Sequence, residues 1–207
     1  GTLVKPYVLT KDIEIDLDTG EEIIYADTIR LCKDGNSRFS NPHIVRKTCD
    51  NFKWLIRANE NCIRLFVTLT YKRNMTDTKQ LYQDYRKFVM KLRYRYPDIT
   101  GYLVAFEPQK RGAWHAHILL LSKKPFLFIP NKVMRRIWGH GFTKTQAVRN
   151  IKDIGSYLTA YLTNVKDGSK TKKGARLGMY PKGFHFLRSS KDGVSRTVLT
   201  RWYGEFD

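Results

Sequence analysis

Three side chains near the middle of the chain could hold a divalent cation, and two further on could make use of it. The stretch Phe106-Glu107-Pro108-Gln109-Lys110-Arg111-Gly112-Ala113-Trp114-His115-Ala116-His117 carries two histidines around one small residue. On a strand, side chains alternate between faces, so His115 and His117 share one, about 6.8 Å apart along the chain. If the intervening loop pairs Glu107 with His115, then Ala105 pairs with His117. The carboxylate then joins the histidine face, about 5 Å from its cross-strand neighbour. Two imidazoles and a carboxylate, with no thiolate, suit catalytic Mn²⁺ or Mg²⁺ and would also hold Zn²⁺, Co²⁺ or Ni²⁺. An isolated histidine pair of this spacing also arises by chance, as residues satisfied within a sheet. Glu107 in register is what favours the cation.

Further on, Ile154-Gly-Ser-Tyr157-Leu-Thr-Ala-Tyr161-Leu-Thr-Asn164 places two tyrosines one helical turn apart on a common face. A phenol, with a pKa of about 10, is a poor nucleophile at neutral pH. A divalent ion on a scissile phosphate withdraws charge from phosphorus and orients it for in-line attack. The product would be a phosphotyrosine ester, which conserves the bond energy and lets a free 3′-OH reverse the step. With 12 tyrosines in the chain, such a pair can equally be a packed stripe. Leu158 and Leu162 lie about 100° around the same helix, where they can pack it while the tyrosines face the cation.

The elements needed to position these groups are legible in the hydrophobic periodicity. Residues 13–29 read as a hairpin, with Ile13, Ile15 and Leu17 alternating before Asp18-Thr19-Gly20 and Ile23 to Ile29 returning. Asn41-Pro42 opens a helix whose Arg46, Lys47, Lys53 and Arg57 form a basic face. Arg64 to Tyr71 is a buried-strand run, and residues 77–96 a helix with Leu81, Tyr85, Phe88 and Leu92 at helical spacing. Tyr102–Glu107 and His115–Leu121 are strands. Asn131 is expected to cap a short helix through Trp138, Phe142–Val148 to form a strand, and residues 151–165 a final helix. Residues 183–203 can supply further strands. The fold class is α+β, a ferredoxin- or RRM-like βαββαβ core with helices packed on one face of a central antiparallel sheet. One domain is expected over 1–207: a core of about 63–165, an N-terminal hairpin and helix within 1–60, and a basic loop and C-terminal segment over 166–207.

Charge points to the partner. Lys+Arg number 38 against 19 Asp+Glu, a formal net charge of +19. Such an excess carries self-repulsion and is retained where a polyanion is bound. Segment 166–176, KDGSKTKKGAR, holds Lys166, Lys170, Lys172 and Lys173. Lys110 and Arg111 sit in the loop between the candidate metal-bearing strands, and Lys152 just before the tyrosine helix. All seven are candidate phosphate contacts, and Tyr71, Trp114 and Trp138 are candidate base-stacking residues. No apolar run approaches the roughly 18–20 residues of a membrane span, and GTLVKPY does not resemble a signal peptide. Cys32, Cys49 and Cys62 lack metal-type spacing and read as free thiols of a reducing compartment. His43, His140 and His185 lack comparable company and read as surface or structural.

Taken as a set, these stretches resemble the HUH endonuclease family, in particular the rolling-circle replication initiators of bacterial plasmids and single-stranded phages. Phe66-Val-Thr-Leu-Thr-Tyr71 resembles its first motif, Trp114-His-Ala-His-Ile118 its histidine motif, and Tyr157-Leu-Thr-Ala-Tyr161 its two-tyrosine nucleophile motif. The resemblance implies a cytoplasmic enzyme of a bacterial host that nicks single-stranded or hairpin origin DNA. It also implies metal ligands at His115, His117 and Glu107, Tyr157 and Tyr161 as nucleophiles, retention of the 5′ end on tyrosine, and a host helicase as a further partner. Ala160 departs from relatives that carry lysine there, which leaves open whether one or both tyrosines react. A single-strand transposase of the same chemistry, a zinc-dependent hydrolase, and a non-catalytic ferredoxin-like nucleic-acid-binding module are the competing readings.

Overall fold

The structure, a computed structural model, describes residues 2–8, 13–15, 20–24, 42–109, 111–163, 181, 184–195 and 197–203; of these, 2–8, 13–15, 24, 42–47, 150, 159–163 and 197–203 are described by backbone alone. Lys110 and the segment 166–176, with Lys166, Lys170, Lys172 and Lys173, lie outside the described residues.

The apolar run Ile63–Tyr71 forms strand β4, buried on one face and partly open on the other. It follows β1 (Thr2–Val8), β2 (Ile13–Ile15), β3 (Glu22–Ile24) and α1 (Pro42–Ala58). After it come α2 (Thr78–Arg95), β5 (Gly101–Pro108), β6 (Trp114–Leu121), α3 (Asn131–Trp138), β7 (Gly141–Ala147), a short 3₁₀ turn, α4 (Ile154–Thr163), β8 (Leu187–Ser189) and β9 (Thr197–Tyr203). The spatial order β2-β3-β8-β5-β6-β4-β7 is antiparallel throughout. Its β5-β6-β4-β7 portion is the expected βαββαβ core, in which each helix crosses over one intervening strand. The expected hairpin is present as β2 paired with β3, Ile13 opposite Ile24. The C-terminal segment supplies β8 and β9, and β9 pairs with β1, a strand the periodicity did not reveal.

Two expectations are corrected. The helices do not all lie on one face. The α2 stripe of Leu81, Tyr85, Phe88 and Leu92 is buried, with Tyr85 edge-on to Phe106 and Tyr102, and Trp138 of α3 packs on Tyr71 and Phe88. Helix α4 instead sends Tyr157 against Phe66, whose side chain projects from the other face of β4, and α1 packs on α4. Asn131 is also not the cap of α3 but its first residue, with Pro130 in the capping position. Its side-chain oxygen accepts from the Thr143 and Thr145 hydroxyls of β7, tying helix to strand.

Buried charge is anchored twice. Asp84 accepts from the Tyr71 hydroxyl at 2.7 Å and the Gln80 amide at 2.8 Å, and lies 3.5 Å from the His140 ring nitrogen. Glu21, beside β3, accepts from the Tyr82 and Tyr85 hydroxyls and faces Arg188 of β8 at 3.6 Å. These contacts dock the β3–β8 extension onto α2. Among the described residues no helix is long and apolar enough to cross a membrane.

Gly141 lets β7 start against the end of β4. A Cβ there would run into the Thr70 carbonyl oxygen and the Lys72 amide, both backbone and unable to move aside. Gly141→Ala is expected to lower the unfolding free energy by about 1–3 kcal/mol. The measurement is the urea midpoint, which should fall at an unchanged denaturant slope.

Candidate active site

The β5–β6 hairpin sets the site. Its connection closes through the Gln109 amide to the Ala113 carbonyl at 2.7 Å, with Gly112 at φ 92°, a conformation that L side chains rarely adopt. The pairing is Glu107 with His115 and Ala105 with His117, the register expected from the sequence. Strand β4 lies on the other side of β6, with Thr70 opposite His115 and Thr68 opposite His117, and β7 follows with Phe142 and Lys144. Directly paired residues project from the same face. Two rows therefore cross the sheet, Phe142–Thr70–His115–Glu107 and Lys144–Thr68–His117–Ala105. Every member of the first row is at least partly exposed. A third row, Gln146–Phe66–Leu119–Leu103, is buried from Phe66 onward. The result is an open band across the sheet, closed along one side where α4 approaches.

Within the band, His117 Nε2 lies 2.7 Å from Glu107 Oε2, and its Nδ1 lies 3.3 Å from the Thr68 hydroxyl. A carboxylate can only accept, so in the neutral ring Nε2 carries the hydrogen and Nδ1 accepts from Thr68. The His115 ring stands 5.9 Å from that of His117, and its Nε2 is buried with no hydrogen-bond partner. An orphaned buried acceptor of this kind costs about 1–3 kcal/mol and marks a place where a ligand is missing from the account. Among the described residues no group of three or more His, Cys, Asp or Glu side chains is gathered as a metal-binding cluster, since Glu107 and His117 hold one another. The donors nevertheless fit a divalent cation. They are two imidazoles and a carboxylate on one face, one nitrogen already unpartnered, with Thr68 placed to receive a hydrogen from His117 Nδ1 should Nε2 turn to a cation.

Burial, then His117 and the Arg111 guanidinium, push His115 down from 6.5 to about 4, so its ring is neutral at physiological pH and its lone pair is available. Arg111 is held there by donating to the Tyr71 carbonyl and the Gln109 side chain, each at 3.1 Å. It sets a fixed positive charge at the end of the band.

Tyr157 stands beside this arrangement. Phe66 is stacked parallel to His117, ring centroids 5.8 Å apart, and meets Tyr157 edge-on, also at 5.8 Å. One buried phenyl ring thus spaces the tyrosine helix from the histidine strand. Helix α4 is capped by Asp153, whose side chain accepts from the Ser156 amide at 3.0 Å, and Leu158 is fully buried beneath it, as expected. Tyr157 is 39% exposed. Tyr71, Tyr85 and Tyr102 differ sharply, since burial and neighbouring carboxylates push their phenols well above the ordinary value. Tyr161 follows one turn on along the α4 backbone, and its side chain lies outside the described residues.

Other sequence candidates fall elsewhere. Tyr71, Trp114 and Trp138 are core, each with its polar atom bonded inside the protein: Trp114 Nε1 donates to the Thr76 carbonyl and Trp138 Nε1 to that of Thr70. They cannot stack on bases. Lys152 is exposed just ahead of α4, and among the described residues no contact ties it to the histidines. Phe66, Thr68 and Thr70 were missed. Their alternation along β4 puts them on one face, but only pairing with β6 shows that this is the histidine face.

The family model for replication-associated proteins of the ORF2 type matches residues 64–166. No curated protein matches the chain. The matched stretch runs from β4 to just past α4 and so contains Glu107, His115, His117, Tyr157 and Tyr161.

The depressed His115 value has a measurable consequence. The unfolded chain takes up a proton at about pH 6.5, whereas the folded chain takes it up only near pH 4. This contribution to stability is present above pH 6.5, is lost as pH falls toward 4, and changes no further below. Chemical denaturation between pH 7 and 4 should show the decline, and His115→Gln should flatten it relative to the parent.

Proposed function

The chain belongs to the ORF2-type family of replication-associated proteins, and from that premise we propose that it is a metal-dependent DNA nickase whose tyrosine stays joined to the 5′ end it creates, opening a replication origin. The observation that carries this reading is the placement of Phe66. It bridges the Glu107–His115–His117 face and the exposed phenol of Tyr157 on α4.

His115, His117 and Glu107 would hold Mn²⁺ or Mg²⁺. When bound, the ion supplies Lewis-acid polarisation of the scissile phosphate. The remaining work belongs to the chain. Thr68 fixes the His117 ring from behind, as the outer partner of a ligating histidine does. Phe66 and Leu158 set the height of α4 over the sheet, which fixes how far the Tyr157 oxygen stands from the face. Arg111 offers a positive charge to a backbone phosphate at the end of the band. The phenolic oxygen forms the new bond to phosphorus, the 3′ oxygen leaves, and that freed hydroxyl can later attack the ester to rejoin the strand. The phosphate link is conserved, so no nucleotide triphosphate is consumed. The excess of positive charge serves attraction to the DNA backbone.

A second reading rests on one contact. Glu107 and His117 already satisfy each other without a cation, which is what a non-catalytic single-strand-binding module would show.

The deciding experiment is incubation with single-stranded origin DNA and Mn²⁺, followed by a denaturing gel. A covalent protein–DNA band that EDTA removes is expected, together with loss of the band in His117→Ala at nearly unchanged duplex binding. Tyr157→Phe and Tyr161→Phe should apportion the attack, and Thr68→Val should weaken metal-dependent activity about 10-fold. Persistence of the band in His117→Ala would remove the ligand assignment. Absence of any band from the wild-type protein, with binding retained, would select the module.

A further inference from the structure

Edge strand β7 carries an exposed aromatic where the sheet has no structural use for one. Phe142 is 55% exposed, although it leads the row that continues through Thr70 to His115. Two strand spacings separate it from His115, about 10 Å. The guanidinium of Arg135, on α3, sits over its ring at 5.3 Å. Lys144, next on the same face of β7, is exposed and leads the row through Thr68 to His117. An exposed phenyl gains little from its neighbours here, whereas the buried Tyr71, Trp114 and Trp138 are occupied within the core.

We propose that Phe142, with Arg135 beside it and Lys144 one row along, is a stacking platform for a nucleotide flanking the one held at the histidines. The ligand class is single-stranded DNA, and the inference rests on the nickase reading for the chemistry but not for the binding. An aromatic face accepts any base, and the two cations flank it where the adjoining phosphates would run. Duplex DNA offers no unstacked base to this ring. The platform therefore distinguishes unpaired from paired DNA at the position it contacts, and with Arg111 at the far end of the same band it fixes the path of the strand across the sheet. Phe142 is a positioning residue, since it lies two strands from the reacting groups.

The test is fluorescence anisotropy with a labelled mixed-sequence single strand of about 16 nucleotides, in EDTA, so that no strand transfer intervenes. Phe142→Leu keeps the apolar bulk and removes the aromatic face. It should bind about 10-fold more weakly than wild type, with duplex binding unchanged, while Phe142→Trp binds at least as well as wild type. Lys144→Ala should lower the salt dependence of binding by about one phosphate contact. An abasic residue scanned along the strand should weaken wild-type binding at one position and add nothing there in Phe142→Leu. Equal single-strand affinity for wild type and Phe142→Leu, or an equal loss on duplex, overturns the platform. These outcomes are independent of the covalent band. A band with a flat Phe142 series sinks the platform alone, and the expected series without any band sinks the nickase alone.

Discussion

The site depends on a single constraint, the register of the β5–β6 hairpin. Side chains on a strand alternate with period 2, so a slip of one residue between these strands would carry Glu107 to the face opposite His115. It would also set the apolar set Ala116, Ile118 and Leu120 against water if β6 turned with it. The hydrophobic burial of that set and the chemistry of the other face are therefore locked by the same geometry. The tight closure from Gln109 to Ala113, with Gly112 at positive φ, fixes the slip at its origin. Two long runs then hold it, from Glu107–His115 to Gly101–Leu121 on one side and from Thr70–His115 toward Ile63–Leu121 on the other. The histidine strand is central, paired on both edges, where strand position is least free to change.

Such a sheet must reconcile two demands. One face is a closed core, with α2 and α3 covering Val67, Leu69, Tyr71, Phe106 and Ile118, each 2% exposed or less. The other must stay open where a ligand enters, yet exposed apolar surface there would be costly. The observed answer is graded. Polar Thr68 and Thr70 line the open band, Phe66 and Leu119 lie where α4 covers the sheet, and Leu158 seals the junction. The same grading sorts the tyrosines. Those on the core side donate to Asp84 and Glu21 and are held protonated by burial, while the one at the boundary of the open band keeps contact with solvent.

Much of this was legible in the chain because it is written in local periodicity. The alternation at His115 and His117, the position of Glu107, the crossover order, and the burial of Leu81, Phe88 and Leu158 all follow from periods of 2 and 3.6. What was not legible depends on pairing between distant segments. That Thr68 meets His117, that Phe142 leads a row to His115, and that β1 pairs with β9 are facts of sheet order, to which no short window has access. The placing of α4 failed for the same reason. Its amphipathic pattern says that one side is buried, but not which face of the sheet buries it. Asn131 misled differently: its side chain is the right type to cap α3 but is drawn to two β7 hydroxyls, a tertiary preference overriding a local one. Trp114, Tyr71 and Trp138 likewise carry polar atoms that can face solvent, and only their internal hydrogen bonds show that they do not.

The pairing of Glu107 with His117 bears on how the face could change state. A carboxylate and an imidazole at 2.7 Å satisfy each other, so the ligand-free face is stable with its donors closed against one another. The uncompensated group is His115 Nε2, one row away on the same strand. A cation entering there meets a neutral lone pair first, without displacing a proton, because burial and Arg111 keep that ring uncharged. Recruitment of Glu107 and His117 would then exchange one charge-assisted hydrogen bond for stronger electrostatic contacts, with the Thr68 hydroxyl able to reverse its role from donor to acceptor as the His117 tautomer changes. A hydroxyl is the side-chain group that can do either in the same position. Its location directly across from His117, in the row that ends at Lys144, makes β4 more than a spacer between the histidine strand and the edge.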